Sequence, residues 1–469
     1  MTLAVPADVI SRLKAVLGEG GWSQDAARLA PKLVEWRDRW SGSTPLLALP
    51  RSTAEVAAVV GICAESGTAI TPQGGNTGLV GGQIPDGEIL LSLERMRAVR
   101  DASVEDEVLV VEAGLTLAET HDEAAKLGRR FPLSLASEGS ATIGGLVSTN
   151  AGGVAVLRYG TMRPLVLGLE AVLPNGEVWN GLKRLRKDNT GYDLKQLLIG
   201  AEGTLGVVTA AALKLFPMLA SRAVAFAGLA SPADAVSLLG RAKEATGGGV
   251  ESFELIGRLG IELALRHIPG AREPLESQPP WYVLIEIASG EPGAAEAGME
   301  RLLEAGFEAG LVLDASIAQT ETQAKAFWAL RENQSAAQKS EGAAWKHDVA
   351  VPVSRIPEFL QTAGAALTQR WPGVRIDAFG HVGDGNIHYD ILSAPGGDGA
   401  EHNGRRDAAA HMVHDIVMSL GGSISAEHGL GTMKTAEAAT YKSPIELAAQ
   451  RAIRATLDPK RIMNPRVLF

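Results

Sequence analysis

A chain of 469 residues is longer than one ordinary core can organise, so two or three domains are expected. Glycine is abundant at 54 residues and aromatics are few, so the backbone turns tightly or approaches something closely at many points. A formal charge of −10 argues against nucleic acid and anionic membrane surfaces as partners.

Residues 1–45 read as a helical lead-in. Asp8, Arg12, Lys14 and Glu19 interrupt its apolar pattern, which is that of an amphipathic helix and lacks the unbroken core of a signal peptide. No window approaches transmembrane length without charges. The one cysteine, Cys63, can form no intramolecular disulfide and is compatible with a reducing compartment, so the expected location is the cytoplasm.

Residues 46–217 read as a first domain. LLAL is a strand closed by Pro50, and Ser52 with Glu55 matches a capping box opening the helix AEVAAVVGICAES, which stops before Gly67. The strand TAITPQ then runs into GGNTGLVGGQ. Successive N–H groups unobstructed by Cβ suit such a loop to cradling a phosphate. The loop is neither a Walker A sequence nor GxGxxG. A second glycine tract, SEGSATIGGLVSTNAGG, can thread backbone past a large planar ligand. LGLEAVLPNGEVW makes a hairpin about Pro174-Asn175-Gly176. A third glycine segment, IGAEGTLGVVT, closes the domain near Pro217, and three such tracts point to a large cofactor with a pyrophosphate.

Residues 218–411 change texture. AVAFAGL, SPADAVSLLGRAKEAT and VESFEL form one β-α-β unit; WYVLIEIA, EPGAAEAGMERLLEAG and LVLDA form another. The doubling predicts a ferredoxin-like α+β domain. A helix over 318–341 and the strand WKHDVAVPV follow. FGHVGDGNIHYDI then reads as a hairpin turning on Gly383-Asp384-Gly385-Asn386, which sets His381 opposite His388 and Val382 opposite Ile387. Opposed side chains lie roughly 5 Å apart at Cβ, near enough to share a metal ion. Residues 412–469 supply Glu427 and His428. Two His and one carboxylate with an open position is the ligand set of a catalytic divalent metal such as zinc.

Together PQGGNTGLVGG, SEGSATIGGLVSTNAGG, IGAEGTLGVVT, HVGDGNIH, AEHGLGTMK and DPKRIMNP resemble the flavin-linked D-2-hydroxyacid dehydrogenases of the vanillyl-alcohol-oxidase (PCMH-type FAD) superfamily, and the likeness spans essentially residues 45–469. It is nearest to the D-2-hydroxyglutarate enzymes, with the glycolate and D-lactate dehydrogenases as relatives. The resemblance implies an α+β chain: a two-subdomain PCMH-type FAD-binding domain, a ferredoxin-like substrate domain and a helical C-terminal segment. It implies FAD with its pyrophosphate on Pro72, Gln73, Gly74, Gly75, Asn76, Thr77 and Gly78, with Gly81 and Gly82 completing the turn. Ser137, Gly139, Thr142, Gly144, Gly145, Asn150 and Gly153 would line flavin and ribityl chain, with Glu202 and Gly203 at the far end and Asn464 near the isoalloxazine. Members with covalent flavin usually carry a His in the first glycine loop; this loop has none, so tight noncovalent FAD is implied.

On the substrate side, Arg331 and Ser335 stand four apart on the predicted helix and Lys346 begins the next strand. An Arg fork, a hydroxyl and Lys make a carboxylate clamp. In the hydroxyglutarate dehydrogenases the matching Arg, Thr and Lys hold the distal carboxylate. Asp390 stands where those enzymes carry an Asn that contacts substrate. A carboxylate there repels a substrate carboxylate unless protonated or turned away, which leaves room for D-malate, D-lactate or glycolate beside D-2-hydroxyglutarate. His381, His388 and Glu427 are read as metal ligands and His428 as the base that takes the hydroxyl proton while C2 delivers hydride to flavin N5. The electron acceptor would be a quinone or an electron-transfer flavoprotein, and the assembly a homodimer. A nucleotide-binding, metal-dependent hydrolase or transferase is the alternative of a different class.

Overall fold

The computed structural model describes residues 5–468. Backbone contacts divide the chain into two units. One comprises residues 1–153, 159–217 and 427–469; the other comprises 154–158 and 218–426.

In the first unit, the helix Ala7–Leu17 buries Val9, Leu13 and Leu17, the i, i+4, i+8 stripe that its sequence pattern dictates. The helix Thr53–Ser66 starts where Ser52 accepts the Glu55 N–H at 3.2 Å, a cap that stabilises by about 1 kcal/mol. The predicted reciprocal half of the box differs: the Glu55 carboxylate accepts the N–H of Arg51. Gly67 ends the helix at φ 68°. The strands Leu47–Ala48, Ile89–Ser92 and Ile70–Gln73 pair in parallel, with Trp22–Ser23 antiparallel at one edge. A second, antiparallel sheet runs Val99–Ser103, Val108–Glu112, Val207–Lys214, Val166–Val172 and Val178–Gly181 in spatial order. The last two form the hairpin about Asn175 and Gly176.

In the second unit, seven antiparallel strands lie in the order Asp314–Ile317, Ser221–Leu229, Trp281–Ser289, Val250–Gly257, Arg375–His381, Asn386–Leu392, Ala344–Ala350. The first four, in order 4-1-3-2, are the doubled β-α-β units interleaved as in a ferredoxin-like sheet. One face packs Leu255, Val283, Ile285, Ala378 and Tyr389 with residues of the helices Pro232–Thr246, Ala294–Glu308, Ile356–Arg370 and Arg406–Ser419. The other face carries Phe226, Ile256, Tyr282 and Phe379 over its first strands. Beyond them it turns polar, and this change of character across one continuous sheet positions the chemistry.

The hairpin forms with a register two residues off the predicted one. Phe379 opposes His388, where the sequence reading opposed His381 to it and Val382 to Ile387. The turn falls one residue earlier because Asn386 is the first residue of the returning strand. Its amide donates to Asp348 Oδ1 at 2.9 Å and to Val349 O, which holds it in the sheet. The N–H groups of Asp384 and Gly385 both donate to His381 O. Gly385 sits at φ 87°, and a Cβ there would lie 2.1 Å from Val351 O. The single helix expected over 318–341 is two, Glu321–Glu332 and Gln334–Lys339, separated at Asn333. Arg331 and Ser335 therefore stand on successive helices, and four-residue spacing no longer guarantees them a common face.

Candidate active site

The polar half of the second unit's sheet is built by strand pairing. Paired residues point to the same side, so the register places Glu254 beside His381, Phe379 beside His388 beside Asp348, and Asp377 beside Asp390 beside Lys346. These three rows alternate along each strand with the apolar residues of the opposite face, as a period of two requires.

The first row is the tightest. His381 Nδ1 lies 2.5 Å from Glu254 Oε1, and Arg331 Nε donates to Glu254 Oε2 at 2.7 Å. Glu254 is wholly buried. Burial alone would raise its pKa, but His381 and Arg331 outweigh that and hold the carboxyl well below the usual range. The Arg331 guanidinium carbon lies 4.8 Å from the Phe379 ring centroid, and that ring lies 5.1 Å from the imidazole of His388. The two imidazoles stand 6.0 Å apart, centroid to centroid.

Glu427 follows directly on Ala426, whose N–H donates to Asp348 O at 3.4 Å, so the chain entering Glu427 is fastened to the strand Ala344–Ala350. His381 and His388 thus supply two imidazoles on one face of this sheet, and Glu427 is the expected third ligand. Asp348 shares the row of His388 and adds a buried carboxylate to this face. The sequence reading missed Asp348, although its place two residues beyond Lys346 on an alternating strand was a usable signal. Because Glu254 engages His381 Nδ1, a cation would be held through Nε2. Two imidazoles and a carboxylate suit zinc or a similar divalent ion.

In the third row Lys346 Nζ lies 3.2 Å from Asp390 Oδ2 and also reaches Gln338 Oε1. Asp390 is thus turned to a lysine. Asp377, fully buried, accepts from Gln338 Nε2 at 2.8 Å, and burial pushes its carboxyl up to about 7. Ser335 is half-buried on the following helix.

In the first unit the glycine tracts pack on one another. A Cβ on Gly74 would lie 2.4 Å from Thr142 Oγ1, and one on Gly75 would lie 1.8 Å from Ser140 O. Only bare backbone brings the two loops this close. At Gly139 a Cβ would meet nothing within 4 Å, and Gly145 would touch only Thr142 Oγ1, so the second tract also presents open backbone. A chain so stripped of side chains fits a large flat cofactor with a pyrophosphate.

Several of the expected cofactor residues hold the loops in place. Gln73 donates to Lys32 O and Gln83 O, and Asn76, at φ 55°, donates to Pro31 O and Val34 O. Asn150 Oδ1 accepts from Thr161 and the Arg163 N–H. Glu202 accepts the N–H groups of Leu430 and Gly431 at 2.9 and 2.8 Å, and Asn464 donates to Gly82 O and Glu202 O. Pro72 ends in the strand Ile70–Gln73, and Gly203, at φ 73°, would press a Cβ to 3.1 Å from the Pro72 ring.

Comparison with known proteins supports the flavin part of this reading. Residues 218–468 match the model of FAD linked oxidases, C-terminal domain, and residues 44–181 match an FAD binding domain. The chain is 38% identical over 458 residues to the mitochondrial D-2-hydroxyglutarate dehydrogenase of Arabidopsis thaliana, covering 97% of this chain and 80% of the relative. It is 37% identical over 436 residues to the D-2-hydroxyglutarate dehydrogenase of Xanthomonas citri pv. viticola, covering 93% and 91%. Among solved structures, p-cresol methylhydroxylase with substrate bound aligns at TM-score 0.75 and 16% identity, over 98% of this chain and 96% of that one. An alkyldihydroxyacetonephosphate synthase aligns at 0.74 and 18%, over 99% and 87%. These likenesses establish the PCMH-type fold. The chain belongs to the FAD-linked oxidases, and within them to the FAD-dependent D-2-hydroxyacid dehydrogenases. Among the described residues no helix is long and apolar enough to cross a membrane.

Proposed function

We propose that this chain oxidises a D-2-hydroxyacid to the 2-oxoacid with noncovalent FAD and a divalent cation, zinc first, and passes the electrons to a quinone or an electron-transfer flavoprotein. The observation that carries the reading is the pair of imidazoles on one sheet face, His381 and His388, 6.0 Å apart between ring centroids, with His381 buttressed by the buried carboxylate of Glu254; Glu427 is the proposed third ligand. When bound, FAD would supply the hydride acceptor and the cation would supply charge for the substrate's carboxylate and hydroxyl.

The protein's own residues do the rest. The glycine loop at 74–82 and the tract 137–153 hold the cofactor by backbone. Among the residues proposed for the flavin site, Thr77, Gly78, Gly81 and Gly82 complete the first loop, while Ser137, Thr142, Gly144 and Gly153 line the second. Arg331 offers the outer nitrogens of its fork to a distal carboxylate, helped by Ser335 and Lys346. His428 accepts the hydroxyl proton, the task an imidazole performs near neutral pH. The names of the relatives put D-2-hydroxyglutarate first among substrates, and the proposed carboxylate clamp puts D-malate, also a dicarboxylate, next. With the chain among flavin enzymes, the nucleotide-dependent hydrolase has no support. A net charge of −10 and one buried thiol suit a cytoplasmic enzyme.

The test is an anaerobic panel of D- and L-2-hydroxyacids added to purified yellow protein. Bleaching of the flavin by D-2-hydroxyglutarate or D-malate, and not by L-isomers, is expected. Oxidised flavin that persists with every D-2-hydroxyacid overturns the reading.

A further inference from the structure

One buried carboxylate touches both halves of the proposed chemistry. Glu254 gives Oε1 to His381 and Oε2 to Arg331, and Arg331 in turn lies over the ring of Phe379, which packs on His388. A residue 127 positions from His381 in sequence thus fixes one proposed metal ligand directly and reaches the other through an arginine and an aromatic ring.

We infer that Glu254 is a positioning residue that serves cation and substrate together: it engages His381 at Nδ1, so that a cation would be held through Nε2, and it aims the Arg331 fork. This inference rests on the function proposed above. The physical basis is direct. A ligating imidazole that donates its other N–H to a carboxylate is locked in tautomer and ring orientation, and it becomes a more basic ligand. The same carboxylate takes Arg331 through Nε alone, which leaves the two outer nitrogens parallel and pre-oriented for a second carboxylate. Since both partners depend on one side chain, loosening it must weaken cation affinity and dicarboxylate selectivity in parallel, whereas loosening Arg331 must affect selectivity first.

The experiment compares zinc affinity, by chelator competition on the flavin-loaded full chain, in wild type, E254Q, E254D and R331K. FAD content and thermal unfolding are followed alongside. E254Q is expected to bind zinc roughly 10–100-fold more weakly. It should also lose the preference for D-2-hydroxyglutarate over D-lactate in kcat/KM. E254D, which keeps the charge with a shorter reach, should lie between E254Q and wild type on both measures. R331K should lose the preference while binding zinc within about threefold of wild type. A folded Glu254 variant with wild-type zinc affinity overturns the inference, and so does an R331K that loses zinc as severely as E254Q. Should neither Glu254 variant fold, nitrogen-15 shifts of the wild-type imidazoles decide: a ligand protonated at Nδ1 and bound through Nε2 is expected, and two ligands bound through Nδ1 overturn it. Wild-type protein that binds no zinc at all sinks the proposed metal centre itself, an outcome distinct from these.

Discussion

Lys346 and Asp390 face one another across paired strands, Nζ to Oδ2 at 3.2 Å. The lysine that sequence reading assigned to a substrate carboxylate is therefore already matched by a carboxylate of the protein. Asp390→Asn removes that competitor. It is expected to raise kcat/KM for D-2-hydroxyglutarate relative to D-lactate by about tenfold, the scale of one charge-assisted hydrogen bond. Steady-state kinetics on both substrates checks it, and an unchanged ratio would show that Lys346 does not face the substrate.

His381→Ala removes one of the three proposed ligands, yet it lies in a different unit from the glycine loops. The variant should stay yellow, with wild-type FAD content, while turnover falls at least a hundredfold because the charge that would stabilise the ionising hydroxyl is lost. Loss of flavin along with activity would contradict that separation.

His428→Asn keeps a polar side chain of similar size and removes the proton acceptor. A loss of roughly 10²–10⁴ in kcat is expected, with zinc content retained. Near-normal turnover would show that some other group takes the proton.

Gly75→Ala puts a methyl where Ser140 O stands 1.8 Å away. Neither backbone can yield without parting the two glycine tracts, so overpacking of about 1–3 kcal/mol is expected together with loss of most bound FAD. Flavin content per chain, read from absorbance, is the check.

Asp377 gives the second unit a pH dependence. Its carboxyl rises from 3.8 to about 7, because burial disfavours the charged form and neighbouring Asp390 adds to that, with Gln338, Lys346 and Arg331 partly opposing. The folded state therefore binds this proton more tightly than the unfolded chain does. That stability is fully present below the unfolded value and is lost as pH rises through about 7, at roughly 1.4 kcal/mol per unit between the two values. Wild type should be less stable to denaturant at about pH 8 than at about pH 5, and Asp377→Asn should flatten the difference. A parallel decline in the variant would assign the effect elsewhere.

Much of this architecture was legible because it is written in short-range patterns. The doubled β-α-β units announced themselves through runs such as AVAFAGL and WYVLIEIA, whose continuous apolar character matches strands buried on both faces. The hairpin was visible in its alternation. Its register was not, since that depends on Asn386 meeting Asp348, a contact between strands separated by a helix. The helix break at Asn333 escaped for a similar reason: no Pro or Gly marks it. The helices Arg258–His267, Ile356–Arg370 and Arg406–Ser419 went unremarked although Pro357 sits at the start of the second. Glu254 could not have been found, for nothing near VESFEL hints at an imidazole arriving from the far end of the domain.

The strand Asn386–Leu392 sends His388 and Asp390 to one side and Ile387, Tyr389 and Ile391 to the other. A slip of that strand by one residue against its neighbours would flip the whole run, thrusting an imidazole and an acid among helices while aromatic and branched side chains surfaced in their stead. The pairing of Asn386 with the neighbouring strand therefore guards the chemistry as much as the fold.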